Sequence, residues 1–91
     1  MSDTKNWSFT ELELKRNVPS RDLVLALQQY AHDGWSISSR VVIELIRRAS
    51  LSDLDRQNLL ASAREGVEVQ THQRDTKDAR EYQKVIDHLS S

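Results

Sequence analysis

The stretch richest in apolar side chains lies near the middle of the chain, between Ser38 and Ala49. Its apolar residues are Val41, Val42, Ile43, Leu45 and Ile46. A helix that is apolar around most of its circumference has to be covered by its neighbours. The pattern therefore predicts a helix over residues 38–49 at the centre of a small bundle.

A second helical pattern precedes it, because Leu23, Val24, Leu27, Tyr30 and Ala31 recur at the spacing of one helix face. Ser20 is a suitable N-cap for this helix. Gly34 can take the left-handed conformation that closes a helix. The pattern predicts a helix over about residues 21–33. Since only about four residues separate it from the next helix, the two are expected to form an αα-hairpin.

The N-terminal part carries a local helix-start signature. Ser8 and Glu11 have the spacing of a capping box, and Trp7 and Leu12 have the spacing of a hydrophobic staple. Alternating apolar residues would also suit a strand here, but the alternation is broken before Leu12. A short helix over about residues 9–16 is therefore favoured.

The C-terminal part leaves two arrangements open. Ser52 is a natural N-cap for a helix, and Gly66 marks a position where that helix could end or kink. Residues 70–78 contain no apolar side chain, so they are either a linker or the exposed middle of one long helix. A helical stripe then returns at Tyr82, Val85, Ile86 and Leu89. One helix over residues 53–89 would be about 55 Å long, and this stripe would then have no cover within the chain.

The predicted fold class is all-α. We expect residues 1–6 to be disordered and residues 7–91 to form a single helical domain. The domain is a small helical bundle built on the αα-hairpin of residues 21–33 and 38–49, with a short N-terminal helix and a long or broken C-terminal helix. Two glycines and one proline in 91 residues argue against a turn-rich β fold.

Composition and charge exclude several classes of protein. The net charge is −1, and the first fifty residues carry seven Lys and Arg against six Asp and Glu, so there is no strongly basic segment for phosphate binding. The absence of cysteine excludes disulfides and thiolate metal sites. The N-terminus lacks the apolar core of a signal peptide, and no apolar run approaches the roughly 18 residues of a membrane span. We expect a cytoplasmic protein.

The chain carries no recognisable catalytic or metal-binding motif. His32, His72 and His88 do not have the spacing of a metal site. The paired carboxylates Asp53 and Asp55 are explained by their position at a predicted helix start. We expect no catalytic residues, no cofactor and no metal, and therefore a protein that is not an enzyme.

Two functions from different classes remain. The first is a small protein–protein interaction protein that binds a larger protein and modulates it as an inhibitor, adaptor or assembly factor. It follows from the absence of other sites and from the apolar C-terminal stripe, which would suit a groove on a partner. Aromatic residues and arginines dominate binding hot spots. The candidate contact residues are Trp35, Arg40, Arg47, Arg48, Tyr82, Ile86 and Leu89.

The alternative is a helical regulator that binds DNA as a dimer, using Arg40, Arg47 and Arg48. The order of a helix, a glycine-containing turn and an arginine-bearing helix resembles a helix-turn-helix. In either alignment of the turn, however, the buried positions or the turn length do not fit. A homodimer is compatible with both functions. Membrane binding is disfavoured because acidic residues offset the basic ones on the polar face of the last helix.

Overall fold

The structure is a computed structural model that describes residues 9–91. These residues form an all-α bundle of five helices, which confirms the predicted fold class. The helices are α1 (Phe9–Glu13), α2 (Ser20–Asp33), α3 (Ser39–Arg48), α4 (Asp53–His72) and α5 (Thr76–Ser90). Residues 1–6, which were predicted to be disordered, lie outside the described residues. Trp7 and Ser8, which were predicted to stabilise the start of α1, also lie outside them.

The helix at the centre of the bundle is α4, and this corrects the expectation that residues 38–49 would be central. α4 has the most extensive contacts, with α5 and with α2, whereas α2 and α3 touch each other only lightly. The α2–α3 pair has nearly the predicted bounds, but α4 and α5 hold it together. The physical reason is that α3 buries one face only and leaves Arg40, Glu44 and Arg47 exposed on the other.

The two ends of α2 illustrate one difference from the sequence prediction and one agreement with it. Ser20 is the first residue of the helix, and Pro19 occupies the N-cap position without a capping side chain. At the other end, Gly34 has a φ of 75°, in the left-handed region, as predicted. Its amide donates to the carbonyl of Ala31 at 3.3 Å, and the amide of Trp35 donates to that of Tyr30 at 2.9 Å. This is a Schellman motif.

Residues 53–90 form two helices, which decides between the two arrangements left open by the sequence. α4 ends in a second Schellman motif, in which Arg74 is the left-handed residue with a φ of 60°. Asp75 then caps α5, since its side chain accepts from the amide of Asp78 at 3.0 Å. Gly66, a predicted end or kink, lies inside α4. Segment 70–78 is thus a helix end, a tight turn and a helix start.

The apolar stripe of α5 is part of the core of the bundle. Tyr82, Val85 and Leu89 are buried, and Ile86 is half-buried against them. The stripe therefore has a cover within the chain, contrary to the long-helix arrangement that would have left it projecting. The other large buried side chains come from the remaining four helices and their connections, and include Phe9, Leu12, Val18, Leu23, Leu27, Ile37, Val42, Leu45, Ile46 and Leu59.

Candidate protein-interaction surface

The position of α3 is fixed at both of its ends. At its start, the Ser38 hydroxyl accepts from the amide of Val41 at 3.5 Å. The carboxylate of Glu81 on α5 accepts from the amide of Ser39 at 2.9 Å and from its hydroxyl at 3.0 Å. At its end, the backbone of Ala49 pairs with that of Val18 in an isolated bridge. The outer face of α3 is therefore presented on a fixed helix.

A groove of about 450 Å³ runs between this outer face and the end of α1. Its apolar part comes from Val41 and Ile43, which are both half-buried. Val41 packs against the core, and Ile43 lies outside the core cluster. The polar lining consists of Glu13, Arg40, Glu44 and Arg47. The groove thus combines apolar side chains with charges of both signs.

The arginines of α3 fall into two groups. Arg48 is already engaged, because its Nε lies 3.3 Å from a carboxylate oxygen of Glu44 and its Nη1 donates to the backbone carbonyl of Glu13 at 2.9 Å. The second bond satisfies a carbonyl at the end of α1. Among residues 9–91, Arg40 and Arg47 form no ion pair. Two exposed guanidinium groups therefore flank Ile43 along one side of α3.

The exposed face around the groove also carries an apolar side chain. Leu14 directly follows Glu13 and is 84% exposed, the largest exposure of a large apolar side chain in the described part of the chain. An isolated exposed leucine needs no explanation. Leu14 is of interest here because it follows Glu13, which lines the groove, and is therefore an exposed apolar residue next to the groove in the chain.

Trp35 lies in the connection between α2 and α3, outside the lining of the groove. Its ring is 45% exposed and meets the ring of Tyr30 edge-on, with centroids 5.2 Å apart. Its backbone is held from the interior, because the hydroxyl of Tyr82 donates to the Trp35 carbonyl at 2.6 Å. The side-chain amide of Gln70 donates to the carbonyls of Gly34 at 2.9 Å and of Trp35 at 3.3 Å. Burial raises the pKa of the Tyr82 hydroxyl, which keeps it protonated as a donor.

The structure brings together only some of the predicted contact residues. Arg40 and Arg47 line the groove, and Arg48 supports it from one side. Trp35 is a separate exposed position. The remaining candidates, Tyr82, Ile86 and Leu89, contribute to the core and its edge.

Other groups in the structure were missed by the sequence prediction. Glu13 was missed as part of the groove, since nothing in the sequence places α1 beside α3. Gln70 is buried although its segment lacks apolar residues. A signal for Gln70 was present, because Leu59, Ala63, Gly66 and Gln70 continue one face of α4 at helical spacing.

Two other surface depressions are weaker candidates for a binding site. One of about 490 Å³ is lined by five residues of the C-terminal half of α4 alone, Glu65, Glu68, Val69, His72 and Gln73. Nearby, His32 lies 3.3 Å from a carboxylate oxygen of Glu65. No group of three metal-ligating side chains forms within residues 9–91. The other depression, of about 240 Å³ between α2 and α4, has a mostly polar lining.

Within residues 9–91, no helix has the length and apolar character needed to cross a membrane. Comparisons with protein families, characterised proteins and solved structures give no significant match.

Proposed function

We propose that this protein is a small interaction protein that binds a larger protein through the groove between α1 and α3 and modulates it as an inhibitor, adaptor or assembly factor. The observation that carries the proposal is the pair Arg40 and Arg47, which form no ion pair within residues 9–91 and lie on either side of the half-buried Ile43. Protein interfaces combine an apolar centre with a polar rim, and arginine is enriched at their energetic centres.

DNA binding by Arg40, Arg47 and Arg48 has less support. Arg48 is engaged with Glu44 and with the carbonyl of Glu13. The carboxylates of Glu13 and Glu44 line the same groove and would repel phosphates. Proteins that bind duplex DNA through its backbone neutralise several phosphates at once. The mixed charge of this groove suits a protein surface better than a polyanion.

Site-specific photo-cross-linking tests the proposed function. A photoreactive amino acid replaces Ile43 in the groove, and a matched control carries it at the exposed Gln83 on α5. A protein that cross-links to position 43 and not to position 83 is identified and purified. Its affinity for the unmodified chain is then measured by calorimetry. We expect saturable binding that Ile43→Asp weakens at least tenfold. Because Ile43 lies outside the core cluster, this variant should keep its helical circular dichroism and its melting temperature.

The outcome that contradicts the proposal is equal affinity of the purified partner for the wild type and for Ile43→Asp. A parallel titration with duplex DNA between 50 and 200 mM salt tests the alternative. Tight binding that falls steeply with salt and is lost in Arg40→Ala and Arg47→Ala would replace the proposed function with DNA binding.

A further inference from the structure

The spacing and charge of the groove restrict the kind of protein segment that fits it. We infer that its occupant is an amphipathic helix of the partner protein that carries two carboxylates seven residues apart, with apolar residues between them. This inference rests on the proposed function and adds the chemistry of the partner.

The distance between the two arginines that form no ion pair within residues 9–91 is that of one helical repeat. Arg40 and Arg47 are seven residues apart on α3, which corresponds to about 10 Å along the helix axis. A second helix lying alongside α3 repeats the same distance between residues seven apart on its own face. In a strand, residues on one face are about 6.6 or 13 Å apart, so neither strand spacing matches the distance between the arginines as closely as a helix does. The spacing therefore favours a helix.

The surface between the two arginines is partly apolar. Ile43 is the apolar residue that lies between Arg40 and Arg47 along α3, and it is half-buried, so it offers only part of its surface. Val41, about 160° away around the helix axis, lines the groove on the other side of the two arginines. A partner helix covers Ile43 with residues three and four positions after its first carboxylate, which lie on the same face as both carboxylates.

The groove also carries negative charge. Glu44 lies on the same side of α3 as Arg40 and Arg47, and Glu13 faces it from the end of α1. Arg48 balances the charge of Glu44. A continuous acidic segment would place carboxylates against Glu13 and Glu44, where like charges repel. Two isolated carboxylates, one on either side of the residues that cover Ile43, avoid that repulsion and pair with Arg40 and Arg47.

The probe for the test is a stapled helical peptide with two glutamates seven residues apart and leucines at the third and fourth positions after the first glutamate. A matched peptide replaces both glutamates with glutamine, and another moves the second glutamate to five residues after the first. Binding is followed by amide chemical shifts of the isotope-labelled protein. We expect shifts concentrated on α1 and α3, and an affinity at least tenfold higher for the first peptide than for either control.

Charge reversal makes the test specific. In the double variant Arg40→Glu, Arg47→Glu, the preference should switch to a peptide that carries two lysines in place of the glutamates. The control double variant Arg64→Glu, Arg80→Glu makes the same change in net charge at exposed positions of α4 and α5, and should keep the preference for glutamate. Equal affinity for the glutamate and glutamine peptides, or shifts centred away from α1 and α3, would overturn the inference.

The failure of this inference is distinguishable from failure of the proposed function. If the partner captured through Ile43 binds with a segment that is not helical or lacks the carboxylates, the inference is wrong and the proposed function stands. If Ile43→Asp leaves partner binding unchanged, the proposed function itself fails. A doubled solution mass that the Arg40→Glu, Arg47→Glu variant restores to that of a monomer would show a second copy as the occupant, and this too would overturn the inference.

Discussion

Glu81 is a single side chain on α5 that organises the start of another helix. Its carboxylate accepts two hydrogen bonds from Ser39 and lies 3.1 Å from the ammonium of Lys84. The hydrogen bond from the Ser39 amide is the main reason why the pKa of Glu81 lies below its ordinary value of 4.5. A carboxylate that is stabilised in the folded state adds to the free energy of unfolding while it stays ionised.

This contribution should depend on pH. Since the pKa of Glu81 is lowered in the folded state, its stabilising effect is present above about pH 4.5 and is lost as the pH falls through the folded-state pKa. We expect Glu81→Gln to lower the free energy of unfolding by about 1 kcal/mol at pH 7. The difference from the wild type should shrink at pH 3. Urea denaturation at both pH values measures it.

Glu68→Gln is the matched control, because Glu68 is exposed on the surface of α4. Asp55 and Asp75, whose pKa values are also lowered by hydrogen bonds at helix starts, are present in all three proteins and do not affect the comparison. A gap between the wild type and Glu81→Gln that is as large at pH 3 as at pH 7 would contradict the ionised carboxylate as the source of the stability.

Among single residues, the sequence predicted those that stabilise the end of their own helix and missed those that bond to distant parts of the chain. Ser52 and Gly34 were identifiable because a cap or a left-handed residue serves its own helix. The hydrogen bonds of Gln70 and Glu81 were missed because their partners lie 36 and 42 positions earlier in the chain. No periodicity within one helix reports such a bond.

Among the helices, α4 shows why element boundaries were harder to predict than element types. A helix end is expected at glycine, but Gly66 lies within α4 and the left-handed residue that ends it is Arg74. Glycine serves a different purpose here. A Cβ atom built at Gly66 would lie 2.6 Å from Cγ of Tyr82 and closer still to two other ring atoms. Because Gly66 has no side chain, the ring of Tyr82 on α5 can lie directly against the backbone of α4.

Replacing Gly66 with alanine therefore tests the α4–α5 contact. In an exposed helix interior, glycine to alanine stabilises a protein by roughly 0.5–1 kcal/mol. We expect the opposite sign for Gly66→Ala, a loss of about 1–3 kcal/mol, because the added methyl group collides with a fully buried ring. Thermal and urea denaturation measure the change.

A double-mutant cycle with Tyr82→Leu separates the collision from other effects. The flexible leucine should leave room for the methyl group, so the loss in the double variant should be smaller than the sum of the two single losses. Strict additivity, or a stabilised Gly66→Ala, would show that the close approach of Tyr82 does not determine the identity of this residue.

In the whole molecule, the all-α fold class was easier to predict than which helices contact each other. The apolar run of α3 suggested a central helix, yet α3 lies at one side and α4 is central. Apolar content measures how much surface a helix can bury, and it does not say which neighbour buries it. The groove between α1 and α3 follows from that packing, so the sequence could indicate Arg40 and Arg47 as candidates but could not predict their common site.

The state of association follows from the burial of α5. Since Tyr82, Val85 and Leu89 are inside the bundle, no long apolar stripe on α5 is left to pair with a second copy. We expect light scattering to give the mass of a monomer, 10.5 kDa, at both low and high salt. A stable dimer would show that another surface of the chain is self-complementary.

The same burial predicts the effect of a charge in the stripe. Ile86 is half-buried against the core, so Ile86→Asp should lower the melting temperature and the cooperativity of unfolding. Arg80→Asp, at an exposed position of the same helix, is the control for the helix itself and should have a much smaller effect. A variant at Ile86 that melts like the wild type would show that the stripe is dispensable for folding.

The bonds from Tyr82 and Gln70 to the α2–α3 connection also set an order of events during synthesis. Tyr82 holds the carbonyl of a residue 47 positions earlier, and Glu81 holds the start of α3 from the same helix. While the ribosome is still producing α4, the connection and the first turn of α3 lack these anchors. We therefore expect the newly made protein to complete its groove only after α5 has left the exit tunnel, so that a partner that needs the groove binds after that point.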